Sequence, residues 1–490
     1  MDIFRTKTVD EIKNDVDDDS GPGSLRKQLR LRDLVGFGFG VGIVIGTGIF
    51  TLTGVQAKEN AGPAVVLSFA IAGVVSLLAA LCYAELASAV PTAGSAYTYA
   101  YATLGELFAW IIGWDLVLEF ALGAAVVARS WSGYLADLFG LPPSLFTEEA
   151  PVNVGAVLIV VALGVVAAVG VKESARVTNT LVVIKVAISV FIVVAGFFFI
   201  SKSNLVPFVP KSAPAEAGGS TLDQPLMQAV AGIAPAAFGV AGVVTAAAVV
   251  FFAYTGFEAV ANLSEESKHP SRDLPRALIG TLVACTVLYM LVAFVVTGMV
   301  QYTDLDDSAP IAKAFDAVGA SWAGSLVSIA AVAGLTSVIL VELVTISRIG
   351  FAMGRDGLLP KSVAKVSPRF GTPTRLTAGV VVAVALLAAL VPLKELAEMV
   401  SIGALFAFLL VSLAVPILRR TKPDLKRPFR VPFSPLVPIL SGLACVYLML
   451  NLVVETWIRF LVWLALGLVI YFAYGRRHAR LAATMATDKS

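Results

Sequence analysis

Six ionisable side chains lie inside long apolar stretches of this chain, where a charge is costly. An ionisable group at the centre of a membrane-length apolar segment costs about 2.5 to 3.5 kcal/mol on insertion scales, and such groups usually mark an ion or substrate pathway. We therefore take these side chains as the first candidates for chemistry. They are Asp115, Glu119, Arg129, Lys185, Glu258 and Glu342.

Lys185 has the clearest setting, because aliphatic residues surround it in the segment LVVIKVAISV (residues 181–190). Apolar surroundings disfavour the charged ammonium, so this amine could take up and release a proton during a reaction cycle. A static salt bridge to Glu119 or to another acid is the alternative. The sequence predicts the first role, with the proton as coupling ion.

Three of the acids have distinct settings. Asp115 and Glu119 are four residues apart, so they share one helix face and repel each other unless a cation or a proton intervenes. For Asp115 we expect a structural role near the membrane interface. Glu258 follows a glycine, and capping the start of a half-helix is the alternative to a functional role for it.

Two glycine-containing motifs interrupt apolar segments: IGTGIF at residues 45–50 and AYTGFE at residues 253–258. Glycine disfavours regular helix, and irregular backbone at membrane depth is tolerated only where it faces protein or lines a cavity. N–H groups after such a break suit a carboxylate, and freed carbonyls suit an ammonium. The motifs therefore predict a site for a zwitterionic α-amino acid at helix breaks around Gly46, Gly48 and Gly256.

Close helix packing is the alternative for some of these glycines, because Gly38, Gly42 and Gly46 follow a small-xxx-small spacing. Gly46 and Gly48 are two residues apart, so they cannot share one packing face. A dinucleotide fingerprint is excluded, since the glycines of residues 36–54 do not have the required spacing after a strand.

The elements that position these residues must be membrane helices. The 490 residues are 58% hydrophobic and 14% charged, and the mean hydropathy is +0.87. A soluble chain of this length is far less apolar. The first thirty residues are acidic and polar, so we expect no cleavable signal peptide.

The composition argues against nucleic acid, metal ions and cofactors as partners. The net charge is +2 and the basic residues are spread over several loops, so nucleic acid is not expected as a partner. The three cysteines have no CxxC spacing, and His269 and His478 have no acid or nucleophile nearby in the sequence. We therefore predict no metal, no cofactor and no enzymatic activity.

Windows of about twenty apolar residues predict twelve membrane helices, all α, in one polytopic domain. The predicted spans are 33–57, 63–89, 105–137, 153–171, 174–201, 240–263, 276–301, 319–353, 376–393, 398–419, 433–452 and 455–475. Residues 91–105 are predicted to be a cytoplasmic loop. With both termini in the cytoplasm, 28 of the 36 Lys and Arg residues lie on the inner side, which predicts that orientation.

The two glycine motifs lie in the first and sixth spans, five helices apart. Because five is odd, the second set of five helices must run opposite to the first, as in the inverted repeats of secondary transporters. The predicted organisation is a cytoplasmic tail (1–30), a first repeat (31–201), a second repeat (240–420), two further helices (433–475) and a cytoplasmic tail (476–490).

Five motifs in order resemble the amino acid–polyamine–organocation superfamily, and specifically its cationic amino-acid transporter branch. The resemblance covers the first ten spans. The motifs are SLRKQLRLRDLVGFGFGVGIVIGTGIFTLTG (24–54), YAELASAVPTAGSAYTYAYATLGE (83–106), GWDLVLEF (113–120), FFAYTGFEAVANLSEESKHPSRDLPRAL (251–278) and GFAMGRDGLLP (350–360).

This resemblance implies a leucine-transporter-type fold of two inverted five-helix repeats plus two peripheral helices. It implies that the substrate carboxylate meets Thr47 and Gly48 with Ile43 nearby. The amino group would meet carbonyls around Phe252, Ala253 and Thr255. Tyr254 and Phe257 would lie at pocket walls or gates, Glu119 near the pocket and Lys185, and Lys185 where sodium-coupled relatives hold sodium.

Glu342 lies in the eighth span, which by the same resemblance lines one side of the pocket. An acid there could bind the distal charge of lysine, arginine or ornithine. The alternative is that this side chain faces another helix.

Together these features predict a secondary active transporter in the plasma membrane, working by alternating access on cationic or small neutral L-amino acids. Proton symport through Lys185 is the expected coupling, and an exchanger is the alternative within transport. A channel or receptor is the alternative from another class, although the sequence contains no TVGYG-like filter or charged ring. A monomer in the lipid bilayer is consistent with the sequence.

Overall fold

A computed structural model of the chain describes residues 5–6, 42, 44–89, 95–169, 175–214, 221–233, 236–258, 260, 267, 269–360, 362, 365–367, 370 and 372–479. Within these residues, seven helical segments are long and apolar enough to cross a membrane. Four shorter apolar helices accompany them: Val154–Val169, Gly239–Tyr254, Thr374–Leu390 and Leu436–Leu450. The prediction of a predominantly helical membrane protein is confirmed.

The first half of the described chain is helical almost throughout. Its α-helices are α1 (Thr47–Phe50), α2 (Leu52–Gln56), α3 (Val65–Ala89), α4 (Ser95–Thr103), α5 (Glu106–Phe139), α6 (Pro143–Phe146), α7 (Val154–Val169) and α8 (Ala175–Phe197). Between α2 and α3 lie a π-helical turn, Ala57–Ala61, and a 3₁₀ turn, Gly62–Ala64. Gly62 has φ 58°, a left-handed value that only glycine adopts readily, and the chain turns there.

The second half begins with 3₁₀ turns at Lys202–Leu205 and Thr221–Asp223 and one antiparallel pair of two-residue strands, β1 (Ala213–Pro214) and β2 (Ala236–Ala237). This pair and an isolated β-bridge between Pro225 and Val453 depart from an all-α chain. The helices are α9 (Leu226–Ala231), α10 (Gly239–Val250), α11 (Pro270–Met299), α12 (Pro310–Ala317), α13 (Ser321–Arg355), α14 (Thr374–Leu390), α15 (Leu393–Thr421), α16 (Leu436–Leu450), α17 (Val454–Ile470) and α18 (Arg476–His478).

Large aliphatic side chains are exposed on the outer helices, as expected where lipid replaces water. Val165 of α7 is 59% exposed, Leu386 of α14 57% and Val469 of α17 64%. In water such surfaces would drive aggregation. Their placement on the outside supports a bilayer as the solvent of these helices.

Helix α5 lies at the centre of the fold, packed against α7, α13, α14 and α15. Small residues let its neighbours approach closely, because a Cβ at Gly123 would crowd the Glu342 carboxylate of α13. On another face, the Trp114 and Trp463 rings stack at 4.3 Å and each indole N–H donates to the other residue's carbonyl. This contact fixes α17 on α5.

Residues 91–105 were predicted to be a loop, and this prediction is wrong for residues 95–103, which form α4. Small residues and tyrosines give this segment a low hydropathy, so a window search cannot detect it. The Tyr97 hydroxyl donates to Asp356 at 2.6 Å and the Tyr101 hydroxyl to Glu106 at 3.2 Å. Arg5 also bonds to Glu106, which joins the start of the chain to α5.

At the opposite end, ion pairs join the segment after α2 to distant parts of the chain. Lys58 pairs with Asp307 at 3.0 Å, and Glu59 pairs with Lys394 at 2.6 Å. A Cβ at Gly54 would overlap Pro310 at the start of α12. The C-terminal end of α2 is therefore covered by the start of α12 and by these ion pairs.

Candidate functional site

The first break lies immediately before α1. Gly42 and Val44 are helical, Ile45 and Gly46 form a bend, and Gly46 has extended backbone angles (φ −149°, ψ −148°). Helix α1 begins at Thr47, so the Thr47 and Gly48 N–H groups precede the first intrahelical hydrogen bonds. The Thr47 hydroxyl is buried and has no hydrogen-bond partner among the described residues.

The second break follows α10. The α-helix ends at Val250 and tightens to 3₁₀ geometry at Phe251–Tyr254. Thr255 is extended (ψ 155°) and Gly256 has φ 94°, which a side chain would strain. The backbone therefore leaves helical geometry in both segments where the sequence predicts a break.

The two breaks lie against each other. A Cβ at Gly48 would overlap the backbone and Cβ of Ala253, so only glycine permits this approach. The start of α1, with its N–H groups, thus packs against the N, Cα and Cβ atoms of Ala253 in the 3₁₀ turn. This is an arrangement in which one ligand with a carboxylate and an ammonium can satisfy both sides.

Neighbouring helices hold the carbonyls before the first break. The Lys185 Nζ atom of α8 donates to the Gly42 carbonyl at 2.9 Å, and the Tyr289 hydroxyl of α11 donates to the Val44 carbonyl at 2.6 Å. Both side chains are buried. Tyr289 was missed from the sequence, where a tyrosine in an apolar span gives no indication of its partner.

After the first break, α5 provides the contacts. The Tyr134 hydroxyl donates to the Phe50 carbonyl at 2.6 Å, and the Ser130 and Thr51 hydroxyls hydrogen-bond to each other. Thr51 is non-helical (φ −120°, ψ −50°) and separates α1 from α2. The two sides of the break are therefore fixed to different parts of the molecule.

Phe252, expected at the ammonium site, and Tyr254, expected at a pocket wall or gate, are both engaged in hydrogen bonds within the protein. The Phe252 carbonyl accepts from the Thr255 N–H at 3.1 Å and from the Thr255 hydroxyl at 2.9 Å. The Tyr254 hydroxyl donates to the Phe69 carbonyl of α3 at 2.7 Å. In this conformation Tyr254 fastens the second break to α3, and the Ala253 carbonyl is the better candidate for an ammonium.

Two further predicted residues have other placements. Ile43 lies outside the described residues. Phe257 packs in an aromatic cluster with Tyr83 and Phe408, at ring distances of 6.1 and 5.1 Å. Its ring is buried there rather than at an open surface.

Four carboxylic acids lie near the breaks. Glu119 is within electrostatic range of Asp115, Glu258 and Glu342. Asp115 is 0% exposed and Glu119 3%, whereas Glu342 is partly exposed. Both oxygens of Asp115 and of Glu119, and Oε2 of Glu342, have no hydrogen-bond partner within the described part of the chain.

Lys185 is 1% exposed and interacts electrostatically with Glu342. No carboxylate of the described residues lies within the 4.0 Å of an ion pair from its Nζ atom. The alternative of a static salt bridge to Glu119 is therefore wrong for this conformation. Among the residues that the structure describes, the amine instead donates to the neutral Gly42 carbonyl.

Glu258 and Glu342 have different environments. Both oxygens of Glu258 accept the Gly256 N–H, at 3.0 and 3.1 Å, so this carboxylate caps the second break. Glu342 faces α5, with its Oε1 atom beside Gly123, one turn from Glu119. It faces another helix, but at the level of the acids and Lys185.

Asp115 does not have the partner that a structural role requires. Its carboxylate is directed at α15, where a Cβ at Gly403 would lie 3.0 Å from Oδ1. Its nine-residue distance from the start of α5 places it about 13 Å along the helix. The expected position near the membrane interface stays a prediction.

Comparison with known proteins gives one family and several relatives. Residues 36–473 match the family described as "Amino acid permease". The chain is 41% identical to the branched-chain amino acid permease BcaP of Bacillus subtilis (strain 168), over 98% of this chain and 99% of that protein.

Two other relatives are named for other substrates. The methylthioribose transporter of Bacillus subtilis (strain 168) is 40% identical over 98% of this chain and 99% of its own length. The vacuolar cationic amino acid transporter 4 of Arabidopsis thaliana is 39% identical over 86% of this chain and 68% of its own length. The resemblance inferred from the motifs is confirmed at the level of the family.

Proposed function

We propose, from the premise that this chain belongs to the amino acid permease family, that it is a secondary active transporter of cationic L-amino acids driven by protons. The observation that supports this best is the contact between the two helix breaks, with Gly48 against Ala253. The Thr47 and Gly48 N–H groups are suited to the substrate carboxylate. The Ala253 carbonyl and its neighbours are suited to the ammonium.

The acids near the breaks support a cationic substrate. Glu119 and Glu342 have unpartnered oxygens, and Lys185 is the one described cation that interacts with Glu342. A lysine, arginine or ornithine side chain would supply the charge-assisted hydrogen bonds that these oxygens lack. A small neutral amino acid would need a proton in its place, and this is the second candidate substrate class.

Proton coupling through Lys185 rests on its burial and on its hydrogen bond to the Gly42 carbonyl. A protonated amine can donate to the Gly42 carbonyl and to further acceptors, and a neutral amine in an apolar site is less costly. Its hydrogen bond to the Gly42 carbonyl, just before the first break, links the protonation of the amine to the position of the helix that would hold the substrate. Exchange of one amino acid for another uses the same site without this step.

The finer architecture is also a proposal. We place twelve spans in the plasma membrane, in two inverted five-helix repeats followed by α16 and α17, with both termini in the cytoplasm. The two breaks five spans apart and the basic inner segments support this arrangement. The closed end at Lys58 and Glu59 would then be extracellular, and the conformation would be closed to the outside.

The deciding experiment is uptake into proteoliposomes that contain the purified protein. Arginine, lysine, alanine, leucine and methylthioribose are tested with and without an inward proton gradient. We expect arginine and lysine to accumulate only with the gradient. Absence of uptake of every amino acid would contradict transport, and equal uptake after the gradient is collapsed would contradict coupling.

A further inference from the structure

The four acids near the breaks differ in what stabilises a negative charge on them. Glu258 accepts an N–H from Gly256 with both oxygens. Glu342 interacts with Lys185, and its Oε2 atom is buried without a hydrogen-bond partner in the described residues. Asp115 and Glu119 have none of these: they are 0% and 3% exposed, and neither has a hydrogen-bond partner for its oxygens in the described residues; Asp115 is the more completely buried of the two.

The surroundings of Asp115 offer no compensating charge. On its own helix the nearest titratable group is the acid Glu119, one turn away. Helix α15 presents Gly403, which has no side chain to donate a hydrogen bond. Among the described residues, no charged side chain of α7, α13, α14, α15 or α17 contributes to its electrostatics.

An ionised carboxylate in this place would be a buried charge without a partner and beside another acid. Buried groups of this kind avoid the cost by binding a proton. No group of three or more His, Cys, Asp or Glu side chains that could hold a metal ion occurs in the described part of the chain. A proton is the ligand that this site fits.

We propose that Asp115 is a proton-binding site: its carboxyl group is neutral in this conformation and ionises in one that admits water between α5 and α15. The O–H bond then breaks and the proton passes to water. The inference deepens the proposed function, because this proton would belong to the coupling reaction. It is separate from the role of Lys185, which lies on α8.

The direct test is infrared spectroscopy of the purified protein, taken as the difference between protein with and without an isotope label on the aspartate side-chain carboxyl. We expect a protonated-carboxyl band of aspartate at neutral pH that is absent in Asp115→Asn. The matched control is Asp304→Asn, which changes an exposed aspartate and should keep the band. A band that persists in Asp115→Asn, or no such band in the wild type, would overturn the proposal.

A second variant, Gly403→Ser, tests the proposal if Asp115→Asn does not fold. The serine hydroxyl would donate to the ionised carboxylate, so the band should disappear at a lower pH than in the wild type. An unchanged titration would overturn the proposal. The spectra need no transport, so a wild-type protein that shows the band and takes up no amino acid would contradict the proposed function alone.

Discussion

At the scale of single residues, Lys185 joins an apolar site to the segment before the first break through the Gly42 carbonyl. We expect Lys185→Ala to reduce proton-driven uptake to the level of empty vesicles, since the loading group is gone. Membrane insertion should be retained, because the change removes a buried amine and adds no charge. Uptake at several external pH values, with protein amount measured by immunoblot, tests this prediction.

The control for this prediction is Lys202→Ala, which removes an exposed lysine of a 3₁₀ turn and should leave uptake unchanged. An unchanged pH dependence in Lys185→Ala would contradict a coupling role for this residue. The proposed substrate site would still stand in that case, because it rests on the contact between Gly48 and Ala253.

Glu342 is expected to select the charge of the transported side chain. Glu342→Met keeps the size of the side chain and removes its charge, so the preference for arginine over alanine should fall by roughly ten- to a hundredfold, as loss of a charge-assisted hydrogen bond predicts. Competition of each amino acid with labelled lysine gives the measurement. Glu149→Met, at an exposed acid, is the matched control. An unaltered preference would contradict a role in selection.

The sequence alone indicates most of the important residues but not their partners. Lys185 and Glu119 are evident because a charge in an apolar span is conspicuous. The contact from Tyr289 to Val44 depends on how α11 packs against the first break, and no local pattern encodes it. The same holds for Asp115, whose lack of a partner is a property of the folded molecule.

At the scale of elements, the contact between the breaks gives a sharp test. A methyl group at Gly48 would overlap Ala253, and overpacking of this kind costs about 1 to 3 kcal/mol, or roughly 5- to 150-fold in affinity. We therefore expect Gly48→Ala to lose substrate binding by this factor. Gly379→Ala is the control, because a Cβ there has open space around it. Equal binding by both variants would contradict the contact.

Tyr289 is expected to act on the substrate only through the first break. Tyr289→Phe leaves the Val44 carbonyl without its donor, which costs about 1 to 3 kcal/mol for a buried group. Substrate affinity should therefore fall, while the ring keeps its packing against Tyr254 at 5.5 Å. The measurement is the dissociation constant for arginine. An unchanged constant would show that the break does not need this donor.

Element boundaries show where sequence patterns are reliable. The α5 helix was predicted at 105–137 and found at Glu106–Phe139, because a long apolar run leaves few alternatives. The sixth predicted span, 240–263, ends its α-helix at Val250, since the break changes the geometry before the hydropathy falls. Hydropathy reports burial in lipid, and it does not report whether the backbone stays helical.

At the scale of the whole molecule, orientation is the main untested prediction. With 28 basic residues on one side, we expect a reporter at the C-terminus to be inaccessible from outside intact cells. A cysteine placed at Lys58 should be labelled from outside under the same conditions. Labelling of the C-terminal reporter would invert the assignment of the two faces.

The overall architecture could be predicted more fully than the site. Length, apolar windows and ordered motifs lead to a helical membrane protein of the permease family, since each of these is a property of the linear chain. Which face of α5 carries Glu119 towards Glu342, and which carries Trp114 towards Trp463, depends on the angle between helices. Such angles follow from packing across the whole molecule.

The segment around the first break is attached at each end to different helices. Upstream, its carbonyls are tied to α8 and α11, and downstream to α5 through Tyr134 and Ser130. When one attachment moves slightly relative to the other, the backbone angles change at Ile45 and Gly46, where the helix is interrupted. The helical turns on either side keep their geometry. An amino acid whose α-carbon is held in a ring would resist this change in backbone angles. Such amino acids should therefore block uptake of arginine without entering the vesicles themselves.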